Sequence, residues 1–259
     1  EEVKRGLDRS RPVVGLMAHQ ASRAKGRLGP VHDLVRCLES KGASVIPVYC
    51  VSSPNDLTGA LGSEEVIRRY FMDGDRPVVD SVVMAMGFSQ INMNNVDGSP
   101  DARNFFLDLD VPVIQAQSIS RSVPDWEEDI IGMTSSEIGT SVIWPEYDGQ
   151  IISVPFSYTS RTPGGDYEAV SVPDRTDRIA SLAVSWARLR RKEPSERRIA
   201  ILLNMYPPTN DHVGGASGLD TFESIRMCLK SMKEQGYVVD RIPENGNEIV
   251  DEVLAGVTS

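Results

Sequence analysis

Two of the three histidines in this sequence stand near the ends of short apolar runs. His19 follows Pro12–Ala18, and His212 lies in a glycine-rich segment downstream of Arg198–Asn204. A neutral imidazole can accept a proton near physiological pH or ligate a metal ion. If both runs are parallel strands, both histidines lie at the sheet edge where such folds bind ligands. The plain alternative for each is a polar histidine on a surface loop. His32, on a predicted helix, is expected to be structural.

The elements around His212 form the clearest pattern in the chain. Arg198–Asn204 is apolar and β-branched, as expected of a buried strand, and Tyr237–Ile242 is predicted to be a second strand. Between them, Asp220 opens a capping box for a helix that ends at Gly236. The long loop between the first strand and this helix is a predicted ligand-binding segment. Its candidate substrate-binding residues are Asn204, Gly214, Gly215 and Gly218.

The N-terminal part repeats this order of elements. It has a strand at Pro12–Ala18, a loop at His19–Gly29, an amphipathic helix capped by Gly42 and a strand at Ser44–Tyr49. A further strand at Val78–Met86 precedes a polar loop. That loop supplies two more candidate substrate-binding residues, Gly87 and Ser89. We expect one cleft to be lined by the loops His19–Gly29, Gly87–Pro100 and Met205–Gly218.

The rest of the sequence predicts further strands and helices. In chain order they are a helix at Asp101–Asp108, a strand at Val111–Ala116, an acidic helix at Trp126–Gly132, a strand at Thr140–Trp144, and a hairpin through Asp148-Gly149 that returns along Gln150–Phe156. Arg161–Asp174 is predicted to be a loop before a long helix, 174–192. Alternating strands and helices predict an α/β fold with mostly parallel sheets. We expect two flavodoxin-like or Rossmann-like domains, residues 1–193 and an incomplete second one at 194–259.

Composition limits the partners and the environment. The formal net charge of −10 argues against nucleic acid or an anionic membrane as the main partner. No apolar run reaches the length of a membrane span. Cys37, Cys50 and Cys228 show no CxxC spacing, which favours buried thiols in a reducing cytoplasm. A three-cysteine metal site assembled by the fold is the alternative.

A resemblance to a known family rests on residues 204–244, NMYPPTNDHVGGASGLDTFESIRMCLKSMKEQGYVVDRIPE. They resemble the large subunit of aerobic cobaltochelatase and the porphyrin-binding H subunit of magnesium chelatase. Both have a Pro-Pro turn, a glycine-rich loop and a helix that leads to a G-Y-x-V strand. WPEYDGQI at 144–151 is similar to the family's proline-glutamate-x-aspartate-glycine turn, and GLDT at 218–221 resembles the cobalt branch. Family chains are several times longer, so we expect an internal fragment.

The resemblance implies a cobaltochelatase-type ligase that forms nitrogen–metal bonds. Its substrates would be cobalt and a tetrapyrrole, hydrogenobyrinic acid a,c-diamide, in cobalamin biosynthesis. Metal insertion displaces pyrrole N–H protons and therefore needs a base. The candidate catalytic residues are His19, His212 and Glu146, with Asp148 as a further carboxylate. The family has Arg-Ser where this sequence has Met17-Ala18, before His19.

The same resemblance assigns ATP hydrolysis to separate AAA+ partner subunits, in agreement with the absence of a GxxxxGK[ST] motif here. No complete set of metal ligands can be named from spacing. Alternatives to the cobalt reading are a magnesium chelatase H-type porphyrin-binding subunit, a non-catalytic α/β module that binds a small ligand, and a structural segment that only spaces an active site elsewhere.

Overall fold

A computed structural model of the chain describes residues 6–94, 104–162, 164–207 and 209–256. The chain divides into two compact units, Glu1–Arg190 and Arg191–Ser259. Among the described residues, the first unit contains the β-sheet, whereas the second contains two α-helices, short 3-10 turns and segments without regular secondary structure.

A six-stranded sheet forms the centre of the first unit. The described strands are β1 (Val13–His19), β2 (Ser44–Cys50), β3 (Met72–Asp73), β4 (Arg76–Pro77), β5 (Ser81–Ala85), β6 (Val113–Ile119), β7 (Ile151–Arg161) and β8 (Tyr167–Ser171). The order in the sheet is β2-β1-β5-β6-β7-β8. Neighbours are parallel except β7 and β8, which pair antiparallel. Leu16 lies opposite Pro47 of β2 and Val83 of β5, and the short strands β3 and β4 form a separate ribbon.

Helices connect the strands and flank the sheet. In the first unit they are α1 (Gln20–Ala24), α2 (Gly29–Ser40), α3 (Ser63–Val66), α4 (Gln90–Asn94), α5 (Phe105–Leu109), α6 (Val123–Glu128), α7 (Ser135–Ile138), α8 (Trp144–Tyr147) and α9 (Pro173–Arg191). π-helical turns extend α3 through Ile67–Phe71 and join α7 to α8 through Gly139–Ile143. The predicted α/β class with a mostly parallel sheet is confirmed.

The central strands bury side chains on both faces, which explains their uninterrupted apolar sequence. Val13 and Met17 of β1 pack in a cluster with side chains of α3 and α5, while Val14 and Leu16 pack on the opposite face with α2 and α9. All four are at most 1% exposed. Burying a side chain of this size contributes about 1.5–3 kcal/mol. The sheet is therefore a rigid base for the loops at its edges.

Gly15 in the middle of β1 lets an aromatic ring lie directly on the sheet. A Cβ atom at this position would stand 2.7 Å from the ring of Phe71, which is itself fully buried. Any larger residue at position 15 therefore forces either the ring or the strand to move.

The segment before β7 differs from the prediction. Thr140–Trp144, predicted to be a strand, is helical. The cause is local: Thr134 and Glu137 form a capping box that starts α7, and the helix continues through the π-helical turn. The hydroxyl of Thr140 donates to the carbonyl of Ser136 at 3.0 Å, a bond that helical backbone makes available to threonine.

The predicted hairpin at Asp148-Gly149 is also wrong. Gly149, with φ of 81°, follows α8, and β7 then runs parallel to β6. The antiparallel hairpin is instead formed by β7 and β8. β8 lies within Arg161–Asp174, for which the sequence predicts a loop. An Asp-Gly pair is typical of hairpin turns, but a glycine with positive φ equally suits the end of a helix.

Two helices shape the described part of the second unit. They are α10 (Thr221–Glu234) and α11 (Gly246–Ala255), and short 3-10 turns lie at Pro194–Glu196 and Asn210–His212. Asp220 caps α10 as predicted, because its carboxylate accepts a bond from the backbone N–H of Glu223 at 3.0 Å.

The strands predicted for this unit are not formed. Within its described residues neither Arg198–Asn204 nor Tyr237–Ile242 is a strand, and the backbone bridge there joins Met205 to Val213. Ile199, Ile201, Leu202 and Val238 are exposed, Leu202 to 92%, whereas the other large apolar side chains of the two segments are partly buried. Without a strand neighbour, Arg198–Asn204 forms no ladder bonds, and Ile199 and Ile201 line an open cavity with Leu229 and Met232 of α10 in place of a closed core.

Candidate functional site

The carboxyl edge of the sheet carries a cavity. The chain goes from β1 to β2 on one side and then to β5 on the other, so the strand order reverses between β1 and β5. Ligands in open parallel sheets bind in the crevice at such a point. A cavity of about 950 Å³ is lined there by His19 at the end of β1, by Met86 and Gly87 after β5, and by Gln115 on β6. Its volume falls in the range of small-molecule sites.

The cavity wall mixes polar and apolar side chains and carries little charge. Asp and Glu make up 37 of the 259 residues, yet none of the described residues that line the cavity is acidic, and the permanent cation among them is Arg23. Burial raises the pKa of the Tyr49 phenol above its ordinary 10, and the opposing influence of the Arg23 charge is smaller. The Tyr49 hydroxyl therefore stays protonated and can donate a hydrogen bond at neutral pH.

His19 is held by its own backbone neighbourhood. It ends β1 and caps α1, and its Nδ1 accepts a bond from the backbone N–H of Ala21 at 3.1 Å. Burial, and next the charge of Lys25, lower the pKa of the imidazole below 6.5. The ring is therefore neutral at pH 7. Because Nδ1 is an acceptor, the proton of the neutral ring sits on Nε2, so the remaining nitrogen is a hydrogen-bond donor.

Gln115 places an amide in the cavity wall. Its side chain is 1% exposed, and Nε2 donates to the carbonyl of Met86 at 3.0 Å. Its Oε1 is buried with no hydrogen-bond partner among the described residues. Leaving a buried acceptor unpaired costs about 1–3 kcal/mol. An N–H or O–H group inside the cavity would satisfy this oxygen.

A buried carboxylate anchors the loop after β5. Asp148 is 3% exposed, its Oδ1 accepts from the hydroxyl of Ser89 at 2.6 Å, and its Oδ2 accepts from the backbone N–H of Gln90 at 2.6 Å. Burial is the largest influence and raises the pKa of Asp148, while these bonds lower it. Since both oxygens act as acceptors, the bonds fit the ionised form. Asp148 thereby fixes the segment that carries Gly87 and Phe88 along the cavity.

Phe88 projects an aromatic ring at the rim of the cavity. Its φ of 67° lies in the left-handed region, which is strained for a residue with a side chain. Its backbone N–H donates to the carbonyl of Thr140 at 2.7 Å. The ring lies 5.5 Å from that of Trp144, at an interplanar angle of 54°, and both rings are about half exposed. Strained residues of this kind concentrate at functional sites.

The structure brings together some of the predicted residues of the first unit and separates others. His19 and Gly87 line the cavity, and a Cβ on Gly87 would stand 3.2 Å from the carbonyl of Thr140. Ser89 is buried behind this wall against Asp148. Glu146 is exposed on α8 and is not among the described lining residues. Part of the predicted loop Gly87–Pro100, from residue 95 onward, falls outside the described residues.

The remaining predicted residues lie in the second unit. His212 is exposed, with Nδ1 2.9 Å from the Thr209 hydroxyl and 3.3 Å from a carboxylate oxygen of Asp211. Asn204, Gly214, Gly215 and Gly218 shape the loop around it. The carbonyl of Asn204 accepts a bond from the N–H of Gly214 at 2.7 Å. Gly214 and Gly218 have positive φ, and Gly215 packs against the His212 carbonyl. The backbone conformation of the loop therefore explains why glycines stand at these positions. Their role in ligand binding stays a prediction.

Sequence reasoning did not select Gln115, Tyr49 or Arg23. A polar residue within the apolar run of β6 was the available signal for Gln115, since a buried amide needs partners. Among the described residues, no three His, Cys, Asp or Glu side chains are grouped to hold a metal ion. None of the helices in the described ranges has the length and apolarity needed to cross a membrane.

Comparisons with known proteins cover the whole chain. A family model described as CobN/Magnesium Chelatase matches residues 1–259. The aerobic cobaltochelatase subunit CobN of Sinorhizobium sp is 30% identical over 254 residues, 96% of this chain and 19% of that protein. The chloroplastic magnesium-chelatase subunit ChlH of Oryza sativa subsp. indica is 28% identical over 250 residues, 95% of this chain and 17% of that protein.

A solved structure is also similar. The catalytic subunit of cobaltochelatase from Mycobacterium tuberculosis superposes with a TM-score of 0.74 at 25% identity, covering 95% of this chain and 20% of that one. The chain therefore spans about a fifth of the length of the relatives it matches.

Proposed function

The chain belongs to the CobN/magnesium chelatase family, and we propose that it forms part of a chelatase large subunit and holds the tetrapyrrole during metal insertion. The observation that carries the proposal is the cavity of about 950 Å³ where the strand order of the sheet reverses. Its mixed wall, with the polar side chains of His19 and Gln115, and its aromatic rim at Phe88 suit a flat organic ligand with polar arms.

Within the family, we propose cobalt as the metal substrate and hydrogenobyrinic acid a,c-diamide as the tetrapyrrole, in cobalamin biosynthesis. The GLDT sequence at 218–221 supports the cobalt branch. We propose that separate AAA+ partner subunits hydrolyse ATP, as the family resemblance implies, and the lack of a GxxxxGK[ST] motif in this sequence agrees with that assignment. The assembly is proposed to work in the cytoplasm.

The proposed division of labour separates ligand binding from proton removal. His19 contacts the ligand as a donor through Nε2, since proton acceptance at Nδ1 would break its cap on α1. His212 and Glu146 are the proposed proton acceptors of the complete subunit. Both are exposed and so are open to a base role that needs access to the pyrrole N–H groups.

The test is an absorbance titration of the purified chain with a free-base porphyrin. We expect saturable binding, and we expect Ser118→Trp, which puts a large ring into the cavity from the exposed end of β6, to weaken it about tenfold or more, ~1.4 kcal/mol. Ser185→Trp, on the exposed side of α9 and away from this cavity, is the matched control. Absence of saturable binding, or equal binding by both variants, would refute the proposal. Cobalt insertion by the chain alone, with ATP, is expected to be absent.

A further inference from the structure

We propose that the cavity takes the acidic edge of the tetrapyrrole, with its carboxylate arms directed at Arg23, Tyr49 and His19 and its ring face against Phe88. This inference rests on the proposed function and specifies which part of the ligand enters. It also predicts a preference between tetrapyrroles that differ only in the charge of their arms.

The cavity wall presents hydrogen-bond donors that suit a carboxylate. Arg23 offers only donors, and the described residues include no ion-pair partner for its side chain. The Tyr49 hydroxyl is protonated, and the neutral ring of His19 presents an N–H at Nε2 because Nδ1 is occupied by Ala21. Three donors that line one cavity, one of them charged, match the acceptor oxygens of a carboxylate.

The absence of like charge supports the same ligand. The net charge of −10 makes the chain as a whole repel an acid. The described lining of the cavity contains no Asp or Glu, so a carboxylate that enters meets no carboxylate there. Divalent ions prefer carboxylate, thiolate or imidazole ligands, and of these the described lining offers only His19. The donor set therefore favours the arms of the ligand over its metal.

The rim supplies a surface for the ring. Phe88 and Trp144 hold half-exposed rings 5.5 Å apart, and Phe88 is kept there in spite of its positive φ. The backbone bond to Thr140 and the anchoring of Ser89 and Gln90 by Asp148 offset that strain. An apolar macrocycle face covers such exposed aromatic area favourably.

The first experiment compares mesoporphyrin with its dimethyl ester in absorbance titrations at low and high salt. We expect the free acid to bind about tenfold tighter at low salt, with the difference shrinking as salt screens the charge. Arg23→Gln should weaken the acid about three- to tenfold and leave the ester unchanged, and Arg23→Lys should restore part of the loss. Arg178→Gln, an exposed arginine of α9, is the control.

A second variant isolates the ring contact. Phe88→Gly removes the ring while glycine adopts the positive φ without strain, so the fold should be kept or gain stability. We expect this variant to weaken the acid and the ester by the same factor, because ring contact does not depend on the arms. An acid-specific loss in Phe88→Gly would contradict its assigned role.

The outcomes separate the two proposals. If acid and ester bind equally to the unmodified chain, the acidic-edge inference is overturned while the proposed function stands. If neither binds, the proposed function fails and this inference with it. If the acid is preferred but Arg23→Gln has no effect, the assignment of the arms to this cavity is overturned. Acid preference that is lost with Arg23 supports it.

Discussion

Val13–His19 in the first unit and Arg198–Asn204 in the second are short apolar runs that both look like buried strands. The first is β1, whose Val14 and Leu16 are fully buried. The second has no regular secondary structure, and Ile199, Ile201 and Leu202 are all exposed. Similar sequence patterns therefore lead to opposite burial in two parts of one chain.

The difference lies in the neighbours and not in the runs themselves. β1 pairs with β2 and β5, and helices on each face cover its side chains. A strand is stabilised by cross-strand pairs and face packing. In the described part of the second unit, Arg198–Asn204 has no paired strand beside it. Apolar periodicity indicates the capacity to form a strand, and the partner decides whether it forms.

Helices behave differently because their bonds are local. α2 and α10 are both formed where the sequence predicts them. In the second unit, Asp220 and Asn245 cap α10 and α11 through bonds within a few residues. Bonds within a helix need no distant partner, so the prediction of α2 and α10 succeeds, although Thr140–Trp144 is helical where the sequence predicts a strand.

The largest effect on stability should come from removing the aromatic ring that packs on β1. Phe71→Ala removes a fully buried ring, and we expect a loss of about 3–5 kcal/mol in the free energy of unfolding of the first unit. Urea unfolding followed by circular dichroism measures it. A loss below ~1 kcal/mol would mean that this face of β1 is not tightly packed, and β1 would then differ little from Arg198–Asn204 in burial.

A double-mutant cycle with Gly15 tests the same contact. Gly15→Ala alone should destabilise by about 1–3 kcal/mol, because its Cβ would collide with the Phe71 ring. In the Phe71→Ala background the same change should cost much less. Additive effects would show that the ring does not lie on Gly15 in solution.

Asp148→Ala should have the next largest effect, about 2–4 kcal/mol, because it leaves the buried Ser89 hydroxyl and the Gln90 N–H without their acceptor. Glu146→Ala, two residues earlier and exposed, is the matched control and should stay within about 0.5 kcal/mol. Both are measured by urea unfolding. Equal losses from the two variants would contradict the anchoring role of Asp148.

Asp148 also marks the limit of what the sequence reveals. Its Asp-Gly pair predicts a hairpin turn, and nothing local indicates a bond to Ser89, which lies 59 positions away. The sheet class, β1, α2 and the position of His19 follow from periodicity and chain order. Gln115 and Arg23 enter the cavity only because β6 and α1 meet at one edge, which depends on the topology of the sheet.

A smaller effect is expected from the local bonds of the second unit. Asp220→Ala should cost about 1 kcal/mol, because the carboxylate that accepts from the Glu223 N–H is lost. Asp240→Ala, an exposed aspartate of the same unit, should change stability little. Hydrogen exchange of the first turn of α10 measures both. Unchanged protection in Asp220→Ala would mean that α10 depends on tertiary contacts more than on its cap.

His19 should add a modest pH dependence to the first unit. Its folded pKa lies below the ordinary 6.5, so between these two values the unfolded chain binds more protons. Stability from this group is therefore complete above pH 6.5 and is lost as the pH falls through the folded pKa. His19→Asn keeps an acceptor for Ala21 but does not titrate. Urea unfolding at pH 7.5 and 5.5 should show a smaller pH-dependent loss in this variant than in the unmodified chain.

The smallest effect should come from the exposed run itself. Leu202 is 92% exposed, so Leu202→Ser removes little buried surface and should change the free energy of unfolding by no more than about 0.5 kcal/mol. Leu16→Ser, at the matching place in β1, buries a hydroxyl in an apolar cluster and should cost several times more. Backbone amides of residues 199–203 should also exchange rapidly, since no ladder bonds protect them. If Leu202→Ser instead costs more than ~1.5 kcal/mol and these amides exchange slowly, Arg198–Asn204 is buried in solution. The two runs would then be equivalent strands, and the difference between the units would disappear.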